Sequence, residues 1–149
     1  MENVRREVVQ ETISGQASIL SEMVASQLQP ILDRHEIGFG TFDMLAAVHA
    51  AKGALPQAAI ARRMGISAAS LTEAVKTGVR RELVTQETKD GDSRAKVLTL
   101  TKKGKTLLKE CFEQLEKTEA TVCKGISEED LETALKVLKT SIANLATGG

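Results

Sequence analysis

The sequence predicts a mainly α-helical fold with one small β-hairpin, an α+β arrangement built around a helix-turn-helix. Apolar residues recur at helical spacing near both chain ends, and a glycine turn separates two short helical patterns in the middle. The pair Asp90-Gly91 lies between two short alternating runs, as in a hairpin. With 149 residues, 42% of them hydrophobic, the chain suits one domain spanning residues 1–149.

A long helix comes first. From Val9 to Ile31 the apolar residues fall at steps of three and four, which describes one helical face, and Pro30 marks its last turns or a kink. A second helix is predicted from about Thr41 to Ala51, where Gly53 is placed to end it.

The helix-turn-helix follows. Pro56, a favoured first helical residue, opens a short helix to about Met64, and Gly65 ends it. Ser67 is the N-cap of a helix that reaches about Arg81. The residues expected to face inward from that helix are Leu71, Val75 and Val79.

A hairpin and two helices complete the chain. Leu83 to Thr88 and Ala95 to Leu100 read as strands around the Asp-Gly turn. Thr101 is expected to cap a long helix, and Ser127, followed by three acidic residues, begins the last one. The last helix carries apolar residues at spacing typical of a packed helical seam, namely Leu131, Leu135, Leu138, Ile142 and Leu145.

The net charge of zero conceals a segregation of charge. Residues 56–112 carry 12 basic and 6 acidic side chains, a net +6, whereas residues 1–55 and 113–149 each carry 4 basic and 7 acidic ones, a net −3. A basic middle segment indicates a polyanion as partner, the alternative being a solvated basic face.

Signals of catalysis and of metal binding are nearly absent from the sequence, so we expect no enzyme and no cofactor. There is no glycine-rich phosphate loop, and neither His35 nor His49 has a second ligand at metal-binding spacing. Cys111 and Cys123, twelve residues apart on one predicted helix, would lie about 18 Å apart, too far for a disulfide. No signal peptide or membrane span is recognisable, and we therefore expect a cytoplasmic protein without membrane contact.

Double-stranded DNA is the polyanion that the composition favours. The chain has no Trp or Tyr and only three Phe, so it lacks stacking platforms for single strands. The helix after Ser67 fits a major groove, with small residues at its start that allow close approach to base edges. The residues predicted to meet DNA from this helix are Ser67, Ala68, Ala69, Ser70, Thr72, Glu73, Lys76 and Arg80; the alternative is a merely solvated face.

Two residues of the hairpin complete the predicted interface. Arg94, at the tip, can enter the narrow minor groove, where the negative potential is strongest. Asp92 lies two residues earlier and is suited to hold that arginine in place. An exposed Asp-Arg pair without function is the alternative.

Residues 55–104 resemble the winged helix-turn-helix of the MarR family of bacterial regulators. The most specific match is Asp92-Ser93-Arg94 followed by Val97-Leu98-Thr99-Leu100-Thr101-Lys102-Lys103-Gly104, the family's D-x-R wing and its L-T-x-x-G entry to the next helix. The resemblance implies a winged helix-turn-helix over residues 40–104, with residues 1–35 and 105–149 forming dimerisation helices. It also implies that Arg94 reaches the minor groove and that Asp92 orients it.

By the same resemblance, the expected function is that of a homodimeric transcription regulator, a repressor that binds a pseudo-palindromic operator. Many relatives release DNA when a small aromatic or phenolic compound enters a cleft beside the winged region. The residues expected near such a cleft are His35, Phe39, Phe42 and Cys111, with Phe42 and Cys111 alternatively plain core residues. Redox sensing is not expected, because Cys111 falls on an apolar helical face.

Several residues depart from the family pattern. Glu82 stands where a glycine usually ends the recognition helix, Gln86 replaces a common arginine, and Gly78 lies inside the helix. Glu73 places a negative charge where neutral or basic residues are frequent; it could accept a bond from a cytosine amine or weaken phosphate attraction. These acidic residues leave open a second function, a winged-helix protein-interaction module without specific DNA binding.

Overall fold

Six helices and a two-stranded antiparallel hairpin make up the part of the chain described by the structure, a computed structural model that covers residues 10–53, 55–88 and 96–148. The helices are α1 (Ile13–Arg34), α2 (Phe39–Ala50), α3 (Gln57–Met64), α4 (Ala68–Arg80), α5 (Lys102–Val122) and α6 (Glu128–Thr147), and the strands are β1 (Val84–Thr88) and β2 (Lys96–Leu100). The chain divides into two units, Met1–Leu115 and Glu116–Gly149. The predicted mainly α fold with a small hairpin is confirmed.

The first unit contains the helix-turn-helix, the hairpin and the hydrophobic core. Helix α2 packs against α3, α4 and β2, and the strands pair in register from Val84–Leu100 to Thr88–Lys96. The most deeply buried core side chains are Leu32, Met44, Leu45, Leu71, Leu83, Leu98, Leu107 and Cys111. The core therefore draws on every element of this unit and fixes α4 against the rest.

Local signals in the sequence set most element boundaries correctly. Gly65 takes the left-handed conformation, with φ 67°, and Ser67 caps α4 as predicted. The side chains of Thr101 and Ser127 accept hydrogen bonds from the backbone N–H groups of Gly104 and Asp130, both 3.0–3.1 Å long. These contacts confirm both predicted caps.

One predicted helix boundary was displaced by two residues, and two local predictions were wrong. Helix α2 begins at Phe39, two residues before Thr41, because extended Gly38 serves as its N-cap. Pro56 is the N-cap of α3 and not its first helical residue, since its extended backbone forms a β-bridge with Val97. Val79, expected to face inward, is 43% exposed, because it follows Leu71 by eight residues and so lies about 80° from it around the helix.

The second unit contains the end of α5 and helix α6. No residue of α6 is buried, and Leu135, Leu138, Ile142 and Leu145 are all exposed. The apolar residues of the predicted seam therefore lie on α6 and are exposed to solvent. Among the described residues, no helix is both long and apolar enough to cross a membrane.

Candidate nucleic-acid interface

The helix α4 presents two faces of different chemistry. Its inner face, formed by Leu71, Ala74, Val75 and Gly78, is buried in the core. All eight side chains that the sequence assigned to DNA contact on this helix lie on the outside and are exposed: Ser67, Ala68, Ala69, Ser70, Thr72, Glu73, Lys76 and Arg80. We call this exposed set the α4 outer face.

Serine and alanine begin the α4 outer face for a structural reason. The Ser67 hydroxyl accepts from the backbone N–H of Ser70 (3.1 Å) and donates to the Ser70 hydroxyl (3.0 Å), so the helix start is capped from within. The next two residues, Ala68 and Ala69, add only methyl groups. A bulky ligand can therefore approach the backbone of the first turn closely.

Polar groups in the middle of the α4 outer face are arranged in pairs. The Thr72 hydroxyl donates to the carbonyl of Ala68 at 2.8 Å, so its oxygen faces outward as an acceptor. The Lys76 ammonium lies 3.3 Å from a carboxylate oxygen of Glu73, and both side chains are largely exposed. An exposed pair of this kind contributes little to stability and is free to exchange partners.

Exposed basic side chains also occur on the helix before α4 and on the hairpin. Arg62 and Arg63 lie on the last turn of α3, and Lys96 begins β2; all three are exposed. Arg81, by contrast, is tied to Glu36, with Nη1 2.6 Å from Oε2. Lys76 and Arg81 are thus both ion-paired with carboxylates, and Arg80 is exposed.

The end of α4 is fastened to the start of α5, a feature that the sequence did not predict. The backbone of Glu82 is left-handed, with φ 60°, at the position where glycine was noted to be missing. The Thr101 hydroxyl donates to the Glu82 carbonyl at 2.6 Å, and the Lys103 ammonium donates to the Arg81 carbonyl at 3.0 Å. Two side-chain hydrogen bonds from the start of α5 therefore hold the C-terminal end of α4.

Gly104 explains the glycine of the L-T-x-x-G motif. A Cβ atom added there would lie 2.1 Å from the carbonyl oxygen of Leu83, far inside any real contact. That same oxygen accepts a hydrogen bond from the backbone N–H of Thr101 at 3.0 Å. The motif thus provides a close backbone approach between the strand entry and α5.

The second part of the predicted interface is the hairpin, of which the structure describes the two strands. Strands β1 and β2 are present, and the Gln86 side chain donates to that of Gln57 at 2.7 Å, linking the hairpin to α3. Gln86 thus contacts α3, which its departure from the family pattern did not indicate. Asp92 and Arg94 lie outside the described residues.

The residues expected near an effector cleft separate into two groups. Phe42 and Cys111 are buried in the core, as the alternative for them held, whereas His35 and Phe39 are half-buried. Burial raises the pKa of the Cys111 thiol to about 11, so it is protonated at neutral pH.

Two charged residues near His35 were missed. Glu110 bonds to the Arg34 guanidinium, and its other oxygen lies 3.3 Å from Nε2 of His35. The hydrogen bond from Arg34 holds the pKa of Glu110 below its usual range. Because these partners lie 75 and 76 residues apart, no local pattern could have predicted the cluster.

The sequence around α2, α3 and α4 matches a known protein family. Residues 35–95 match the model of the MarR family, and the match spans α2, α3, α4 and strand β1, ending just before β2. This stretch of the chain is similar to the MarR family. The resemblance proposed from the D-x-R and L-T-x-x-G motifs is confirmed.

Several solved structures have a similar fold. A MarR protein from Peptoclostridium difficile is 18% identical with a TM-score of 0.79, covering 89% of this chain and 86% of that one. Staphylococcus aureus MarR in complex with salicylate and kanamycin is 23% identical with a TM-score of 0.78, covering 94% and 93%. A Staphylococcus aureus MepR–DNA complex is 20% identical with a TM-score of 0.63, covering 86% and 96%.

Proposed function

We propose that the protein is a homodimeric, sequence-specific transcription regulator that binds duplex DNA, acting as a repressor on a pseudo-palindromic operator. The observation that carries this proposal is the α4 outer face, on which all eight side chains assigned to DNA contact are exposed together. Small residues at the start of a helix, followed by Lys76 and Arg80, suit a helix that enters a major groove and meets phosphates at its rim.

The electrostatics support the same partner. Arg62, Arg63 and Lys96 are exposed as well, and they lie in the segment that carries the net +6 of the sequence. Such a surface attracts a polyanion through release of its counterions. With Arg94 in the minor groove, held by Asp92, each chain would contact both grooves of one half-site.

The exposed apolar stripe of α6 supports the homodimer. Leu135, Leu138, Ile142 and Leu145 are too apolar to remain in water on a helix of this length. Helix α1 likewise exposes Ile13, Leu20 and Met23 in its first half. A two-fold pairing of copies would cover these residues and place two α4 helices one helical turn of DNA apart.

A small aromatic or phenolic compound is the effector class that we infer, and it would loosen DNA binding. Half-buried His35 lies beside the Arg34–Glu110 pair, and Phe39 is also half-buried, so these residues offer ring surface and charge of both signs. One structure of similar fold contains salicylate, an aromatic acid, which is a property of that protein and motivates the inference here.

Selection from a random duplex library tests the proposed function. Purified protein is incubated with the library and the bound duplexes are sequenced, with Arg94→Ala treated in parallel. We expect one inverted repeat to be enriched, and we expect the Arg94→Ala variant to bind that repeat more weakly. A library without any enriched motif at low and at moderate salt would favour a protein-interaction module instead.

A further inference from the structure

The acidic side chain at the centre of the α4 outer face calls for a physical explanation. Glu73 is the sixth residue of the thirteen-residue helix α4, in the half that meets base edges when a helix enters a major groove. Its side chain is 76% exposed, so it stands on the surface that would face a polyanion. A carboxylate there is repelled by phosphates, and a hydrogen bond from a donor on a base would offset that cost.

The neighbours of Glu73 on α4 leave its carboxylate available to such a donor. Ala69, one turn earlier, carries only a methyl group, and the Thr72 hydroxyl proton is donated to the Ala68 carbonyl. Lys76 is the one partner that the described residues supply, at 3.3 Å. Its ammonium offsets the negative charge near the groove but engages only one of the two carboxylate oxygens.

Base chemistry then restricts what Glu73 can contact. In the major groove guanine presents only the acceptors N7 and O6, and thymine presents O4 and a methyl group, so neither can donate to a carboxylate. Adenine offers its N6 amine next to the acceptor N7, which repels the second carboxylate oxygen. Cytosine offers its N4 amine with no acceptor on the groove side of it.

We propose that Glu73 is a specificity-determining residue that selects a cytosine in each half-site by accepting a hydrogen bond from its N4 amine. This proposal rests on the proposed function, since it requires α4 to lie in a major groove. Lys76 turns from Glu73 to a phosphate on binding, so that the pair seen at 3.3 Å in the free protein is a resting arrangement.

Glu73→Gln provides a direct test because the amide changes the hydrogen-bond pattern at nearly constant size. Glutamine donates and accepts, and therefore pairs with N6 and N7 of adenine. Glu82→Gln is the matched control: it removes one exposed acidic charge beyond the end of α4 without touching its centre. Library selections are run on all three proteins, followed by binding titrations on duplexes that differ at a single base pair.

The expected result is a change of the preferred base at one position of each half-site. Wild type and Glu82→Gln should select cytosine at one position of each half-site and bind the cytosine duplex about tenfold more tightly than the adenine one. Glu73→Gln should select adenine there and reverse that ratio, with the other positions unchanged.

Two outcomes would overturn the inference, and they are distinguishable. If wild type selects an inverted repeat that Glu73→Gln selects equally, Glu73 does not read a base, and the proposed function stands. If wild type selects no motif, both the inference and the proposed function fail.

Discussion

Helices α4 and α6 are both amphipathic, yet only one of them has its apolar side covered. Leu71 and Val75 of α4 are buried in the core, whereas Ile142 and Leu145 of α6 are 68% and 83% exposed. Helix α4 is therefore packed within its own chain and exposes a polar face that can bind a ligand. Helix α6 exposes an apolar face, which needs another surface to cover it. The four predictions below test this contrast.

Replacing Gly104 should have the largest effect, because it disrupts the close contact between the start of α5 and the end of α4. In Gly104→Ala the added methyl group would meet the carbonyl oxygen of Leu83, and neither backbone can move freely. We expect the free energy of unfolding to fall by about 3 kcal/mol or more, measured by urea denaturation. Gly40→Ala is the control, since nothing lies within 4 Å of its added Cβ; it should be neutral or gain up to about 1 kcal/mol.

The exposed stripe of α6 can be broken without disturbing the core. The double variant Ile142→Glu/Leu145→Glu places charges where two copies would meet, and we expect the dimer dissociation constant to rise by at least about 100-fold. Sedimentation velocity over a range of concentrations measures it. Thr140→Glu, on another exposed position of α6, should leave the dimer intact. Equal sedimentation of all three proteins would contradict a dimer built on α6.

Lys76 probes the α4 outer face more gently. Lys76→Ala should weaken binding to a selected duplex, to a similar extent for related base sequences, because it removes a phosphate contact. The slope of log affinity against log salt should become shallower by about 0.9 for each chain in the complex. An unchanged slope would mean that Lys76 stays with Glu73 in the complex.

A substitution at Glu82 should increase the stability of the protein at the end of α4. Glu82 adopts φ 60°, which side chains disfavour, so Glu82→Gly should raise the free energy of unfolding by about 1 kcal/mol. Thermal unfolding measures the gain, and Glu113→Gly, within α5, should instead destabilise the protein. A loss of stability in Glu82→Gly would show that the backbone strain at this residue is not limiting.

Local chemistry explains why so much of the fold was predictable. The turn at Gly65 and the helix caps at Ser67 and Thr101 are formed by hydrogen bonds to residues three or four positions away, so the sequence around each of them is enough to predict it. The outer residues of α4 follow from the same periodicity. Their contact with DNA remains a prediction, as do the roles of Asp92 and Arg94.

Contacts between distant residues account for what the sequence did not reveal. The Glu36–Arg81 and Arg34–Glu110 pairs join residues 45 and 76 positions apart, so periodicity carries no trace of them. The extended backbone of Pro56 likewise depends on Val97, a partner in another element. The family motif predicted a glycine at position 104, but the sequence did not reveal that the Leu83 carbonyl lies against it.

The central claim, that two copies read one operator with two α4 helices, is tested most directly by spacing. Binding is measured by sedimentation on a selected inverted repeat and on the same repeat with five base pairs inserted between its half-sites. We predict two chains on the first duplex and a loss of affinity of at least about tenfold on the second, since five base pairs rotate one half-site by about half a turn. One chain per duplex, or equal binding to both duplexes, would contradict the claim.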